Sequence, residues 1–113
     1  MKEKSPAFQF YPKDWLADPN VRAMTHAERG IYIDLLCSCW TEGSIPDDPE
    51  ECARIAGWFK GGSHLVEPDM KRILDCFTEI DAKMGRRLHK RLEKERAKQE
   101  EWRAKSAKGG RAS

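Results

Sequence analysis

The chain has 113 residues, which suits one domain of ordinary size. Hydrophobic residues make up 39% and charged residues 35%, so a compact core is possible beneath much solvated surface, and no run approaches the ~20 apolar residues of a membrane span. The net charge is only +2, and Met1-Lys2-Glu3-Lys4-Ser5-Pro6 lacks the apolar run of a secretory signal, so a cytoplasmic protein with no membrane partner is expected.

In chain order, Phe8-Gln9-Phe10-Tyr11-Pro12 is aromatic and weakly alternating, which predicts a short strand stopped by proline. Asp14 to Asp18 reads as one helical turn or an extended anchor, with Trp15 and Leu16 in the core. Thr25-His26-Ala27-Glu28 is a capping box, in which hydroxyl and carboxylate each satisfy an amide of the first turn. From there Tyr32, Leu35, Leu36, Cys39 and Trp40, broadened by Ile31, form an apolar stripe at helical spacing that ends at Gly43. Ser44-Ile45-Pro46 reads as a short extended connection.

Asp48 then caps a second helix, with Pro49 at its first position and Glu51 completing another capping box. Cys52, Ile55 and Ala56 make its inner face and Gly57 ends it. Trp58-Phe59 opens a glycine-rich loop. Pro68 to Phe77 predicts a third helix with Met70, Ile73, Leu74 and Phe77 inward. Residues 77–81 and 87–92 read as strands around an Ala82-Lys83-Met84-Gly85 turn, although Leu88 and Leu92 also fit an earlier helix start. From Glu93 the chain is polar all round, with helical pairs Arg96–Glu100 and Glu101–Lys105, and residues 109–113 are expected to be disordered.

The order strand, three helices, hairpin is that of winged-helix domains. The expected fold is mainly helical α+β: a winged-helix-like domain over residues 1–92, with a C-terminal hairpin wing, then a basic helical or disordered tail over 93–113.

Particular residues narrow this. Phe10-Tyr11-Pro12-x-Asp14-Trp15-Leu16 is followed by Met24-Thr25-x-x-Glu28-Arg29-Gly30-x-Tyr32-x-x-Leu35-Leu36. Then come Trp40-x-x-Gly43-x-Ile45-Pro46-Asp47-Asp48, Ala53-Arg54-Ile55-Ala56-Gly57 and Leu88-His89-x-Arg91-Leu92. Together, over residues 8–92, they resemble the YdaU-like family of uncharacterised phage and prophage proteins. Its members are often the N-terminal part of replication-initiation or replisome-organiser proteins. The resemblance implies a winged-helix-like fold and a link to phage DNA replication. Longer members continue beyond this region, so the chain reads as a short member or a part of a longer protein.

Charge is unevenly spread. Residues 1–42 carry five basic and six acidic groups, residues 43–81 four and nine, and residues 82–113 twelve and four, so the net runs −1, −5, +8. Such asymmetry suggests a polyanion-binding segment. The hairpin holds Lys83, Arg86, Arg87, Lys90 and Arg91 with no acid among them. In a strand, Arg87, His89 and Arg91 would line one face as a phosphate-binding stripe, or its cations would face the acidic body. On the third helix Lys71 and Arg72 are secondary contacts, set among Asp69 and Asp75, a poor surface for reading bases. Trp58 and Phe59 are candidates for partner binding. Trp102 either stacks on an unpaired base or docks on its own domain or a second copy.

Catalysis finds no support. Gly61-Gly62-Ser63 lacks the frame and lysine of a phosphate loop, and Asp47, Asp48, Glu50 and Glu51 are explained by helix capping. Cys37 and Cys39 point about 200° apart on one helix, so no metal or other cofactor is expected and the thiols should be reduced. The expected function is a nucleic-acid-binding module tied to DNA replication or its control. The alternative is a protein-interaction or self-association module of a phage replisome or host-modulating protein.

Overall fold

The computed structural model describes residues 6–58 and 67–112, with side chains described as far as residue 106. Local signals set most boundaries. Helix α1 (Pro12–Ala17) opens on a proline and stops at Asp18. Asp18 precedes Pro19, which holds it extended, and its carboxylate accepts from the Asn20 amide at 2.9 Å to cap α2 (Pro19–Ala23). The predicted capping box starts α3 (His26–Glu42): Thr25 Oγ1 accepts from the Glu28 amide at 3.1 Å, and Glu28 Oε1 from the Thr25 amide at 2.8 Å. Gly43, at φ 95°, ends it in a left-handed turn that a side chain would resist, donating its N–H to the Cys39 carbonyl.

Strand β1 (Ile45–Pro46) follows, then α4 (Pro49–Ile55) capped by Asp48, then α5 (Met70–Leu74) capped by Asp69. A hairpin of β2 (Glu79–Asp81) and β3 (Arg86–Leu88) leads into α6 (Lys90–Ala112). The sheet order is β1-β3-β2, antiparallel throughout, with Ile45 opposite Arg87 and Ile80 opposite Arg87 on the other side. Helix α3 is the axis of the core. It contributes Tyr32, Leu35, Leu36, Cys39 and Trp40, and around it pack Val21, Ile45, Cys52, Ile73 and Phe77.

The structure departs from the sequence expectations in several places. Residues 8–11 form no strand; they run along α6, where the Gln9 amide donates to Glu95 at 3.4 Å and Gln99 Nε2 to the Ala7 carbonyl at 3.2 Å. Leu16 is exposed rather than core, as are Phe10 and Tyr11, while Trp15 is only partly buried. Residues 45–46 are a true strand, because β3 offers them a partner. Glu51 makes no second capping box and instead pairs with Arg54, and Ile55 faces solvent. Helix α5 is shorter than predicted, since the amides of Cys76 and Phe77 turn back to Ile73 and Leu74. The second strand ends at Leu88, and the Glu93 amide already bonds the His89 carbonyl, so the four-residue spacing of Leu88 and Leu92 marked a helix start. Helix α6 continues through Gly109 and Gly110, where no structure was expected.

Glu28 is the one buried charged residue among those described. Besides closing the capping box, its Oε2 accepts from the Asp69 amide at 2.6 Å, and Arg72 Nη1 lies 3.7 Å from Oε1. One carboxylate therefore fixes the starts of α3 and α5. Removing it leaves two amides without their acceptor and takes one carboxylate from Arg72. Glu28→Ala should cost about 2–4 kcal/mol of unfolding free energy. Thr25→Ala, which loses one cap bond, should cost about 1 kcal/mol. Urea titrations of the two variants measure the difference, and equal losses would refute the cross-link.

Candidate functional site

The basic residues of the hairpin region divide into two classes. Arg86 and Arg87 lie on the central strand and turn inward. Arg86 donates to Ser44 Oγ at 2.9 Å and to the Ser44 carbonyl at 3.0 Å. Arg87 Nε meets Asp47 at 2.5 Å, while Nη1 donates to the carbonyls of Leu74 at 2.9 Å and Phe77 at 3.4 Å, closing the C-terminus of α5. The Arg87 side chain is only 16% exposed. These two arginines stitch the sheet to α5 and the turn before α4; they do not form an outward stripe.

Other candidates are engaged at the surface. Arg91 pairs with Asp14 at 2.6 Å and lies over the Tyr11 ring at 5.4 Å. Arg72 donates to the Ala23 carbonyl at 2.8 Å, and Lys71 pairs with Asp75 at 3.2 Å. Lys83 at the hairpin tip and Lys90 at the start of α6 are exposed and have no ion-pair partner among the described residues. Two lysines of the tail share this condition. Lys94 and Lys98 continue the face of Lys90 at successive helical turns.

These three lysines border an open groove of about 870 Å³, between α6 and the segment holding Phe10, Tyr11 and Trp15. Trp15 stacks on Tyr32 with ring centroids 5.5 Å apart, and Phe10 tilts against Trp15 at the same distance. At the floor, Tyr32 Oη and His89 Nε2 are 2.8 Å apart. Burial, then the nearby Arg91 charge, pushes the imidazole down to about 4, against a weaker opposing pull from Asp18, so His89 is neutral at pH 7. Burial likewise drives the Tyr32 phenol upward, helped by Cys76 and Asp18. The Cys76 thiol is pushed up to about 11 by burial and by Asp18 and Asp75, and Cys52 to about 11 chiefly by burial. Both are protonated and poor nucleophiles. Cys76, just after α5, packs toward the core beside Tyr32.

Of the candidate partner residues, Trp58 is partly buried and packs on the core, while Phe59 lies outside the described residues. Trp102 is 69% exposed on α6 and is not docked on its own domain. Arg96 pairs with Glu93 rather than Glu100 and stacks over Trp40 at 4.5 Å, while the Glu101–Lys105 pair forms as read. Among the described residues, no group of three or more His, Cys, Asp or Glu side chains is placed to hold a metal ion. No described helix is long and apolar enough to cross a membrane.

Residues 6–97 match the model of a family described as a protein of unknown function (DUF1376), and the chain belongs to that family. No curated protein and no solved structure matches.

Arg87→Ala should destabilise the fold by about 2–3 kcal/mol, since it leaves a carboxylate and two carbonyls short of a donor. Chemical denaturation would show it; a change below about 0.5 kcal/mol would mean that the arginine is a surface group. His89 sets a pH dependence. Its folded value lies below its ordinary 6.5, so the unfolded chain binds the proton more readily. Stability should be full above pH 6.5, fall as pH drops towards about 4 and gain no further slope from this group below that. The imidazole's share is at most about 3 kcal/mol. His89→Gln should flatten that part of the melting-temperature profile relative to the parent chain.

Proposed function

We propose that this family member is a winged-helix nucleic-acid-binding module that holds phosphates without reading sequence, within phage-type DNA replication or its control. The order α3-β1-α4-α5-β2-β3, with the hairpin's second strand at the centre of the sheet, supports the winged-helix reading. The YdaU-like motifs support the phage replication context. The observation that carries the binding reading is a row of lysines with no ion-pair partner among the described residues, Lys90, Lys94 and Lys98, on one face of α6, joined by Lys83 at the hairpin tip.

Lysine suits this role as a mobile, well-hydrated point charge that meets phosphate without fixed geometry. Base reading by α5 is disfavoured. The helix has five residues, about 7.5 Å of length, and its two cations are already engaged. The working surface is therefore α6 with the hairpin tip, in place of Arg86 and Arg87.

A protein-interaction reading has its own support in Trp102, 69% exposed, and in the hairpin's Met84, 71% exposed, and Ile80, 56% exposed. Light scattering on the parent chain and on Trp102→Glu tests it: a dimer mass lost in the variant favours self-association.

Fluorescence anisotropy with labelled oligonucleotides across a salt series tests the main reading. The parent chain should bind with a steep salt slope. Changing Lys90, Lys94 and Lys98 together to alanine should shallow the slope by about 2 on single strands, at roughly 0.7 per lost phosphate contact. Arg86→Lys, which keeps its charge, should leave the slope unchanged. No binding at low ionic strength would end the proposal.

A further inference from the structure

The groove beside α6 has features that phosphate binding alone does not use. Its outer wall carries two exposed aromatic rings, Phe10 at 45% and Tyr11 at 39% exposure, on a segment without regular secondary structure. Isolated exposed aromatics need no explanation, but here both border the concavity that the three free lysines line. Asn20 and Thr78 also line it, and their side chains have no partner among the described residues. They are hydrogen-bonding groups of the kind that meet base edges.

The groove's carboxylates offset the lysines only in part. Asp14 is neutralised by Arg91 at 2.6 Å and Asp75 by Lys71 at 3.2 Å. Asp18 is occupied in capping α2, and Glu95 accepts from the Gln9 amide and from Gln99. The amides bonded to Asp18 and Glu95 leave those formal charges in place, so two acids without a cationic partner face three lysines that have no ion-pair partner among the described residues. The three lysines span eight residues of helix, about 12 Å, enough to follow about three successive phosphates of one stacked strand.

We propose that this groove takes an unpaired nucleobase stacked against Phe10 and Tyr11, while Lys90, Lys94 and Lys98 hold the backbone on either side. The preferred ligand class is single-stranded nucleic acid. This rests on the phosphate-binding reading above and adds a base-stacking site to it. Rings on one wall and cations on the other match the general design of single-strand grooves, where stacking is tolerant of base identity. In a duplex, the bases are already stacked and paired, and the rings on the wall would have nothing to receive.

The test compares four ligands of equal length on the unaltered chain: oligothymidylate, oligoadenylate, an abasic oligomer with the same backbone, and a duplex. Oligothymidylate and oligoadenylate should each bind about tenfold or more tighter than the abasic oligomer. Phe10→Ala combined with Tyr11→Ala should bring both down to the abasic level and leave abasic binding unchanged. Circular dichroism melts check the fold of that variant, and the abasic comparison needs no variant at all. Changing the three lysines to alanine should weaken binding of every ligand. Equal affinity for abasic and base-bearing oligomers would overturn the stacking site while leaving the phosphate reading intact. Duplex bound more tightly than single strand would also overturn it. Absence of binding to all four would remove both.

Discussion

A single carboxylate governs how the helices meet. Glu28 is almost fully withdrawn from water, yet each of its oxygens has a donor. A buried charge survives only when so satisfied, and here the satisfaction comes from two amides that begin different helices. Both amides lie at the positive ends of helix dipoles, which adds to the match. The cost is specificity of geometry: α5 must start where Glu28 can reach Asp69. Phe77, Ile73 and Leu74 then fall against α3, and the hairpin leaves from a fixed point. The groove inherits its floor from this placement, since Tyr32 on α3 and Cys76 after α5 meet there.

Arginine and lysine divide the work of positive charge along physical lines. Arg86 and Arg87 have planar forks that reach two or three oxygen acceptors at once, and the central strand turns them inward. Lys90, Lys94 and Lys98 carry compact, strongly hydrated ammonium groups that remain in solvent. Counting cations in a segment treats the two as equal. The described hairpin has a high formal charge, but much of it is spent in holding the sheet to α5 and the β1–α4 turn.

The sequence was most legible where the local signal and the tertiary outcome agreed. Thr25 and Glu28 announced α3, Gly43 its end, Asp48-Pro49 the start of α4, and Gly85, at φ 63°, the hairpin turn. It was least legible where a partner distant in the chain decided. Ile45-Pro46 is a strand only because β3 lies beside it, and two residues carry no periodicity. Phe10 and Tyr11 have the composition of a strand, but their segment lies along α6 and pairs with none of the described strands. The groove was hidden for the same reason, since its walls are about 80 residues apart in sequence. The spacing of Lys90, Lys94 and Lys98 was visible, yet it needed the helix to begin at Lys90 rather than Glu93 before those lysines shared a face.

The contacts between residues 7–10 and α6 also bear on the order of folding. Ala7 bonds Gln99 and Gln9 bonds Glu95 across 92 and 86 positions, and Phe8 rests on Trp40 with ring centroids 5.5 Å apart. Closing so long a loop is entropically dear unless the intervening chain is already compact. Loop-closure entropy therefore favours docking of the outer wall onto a helical body that is already compact. It is held by side-chain bonds at the surface, without a ladder of paired backbone groups. Such a segment opens at a lower free energy than the core it covers, so the wall can part from α6 while α3 and the sheet stay folded. The groove is then a seam where two segments distant in the chain meet.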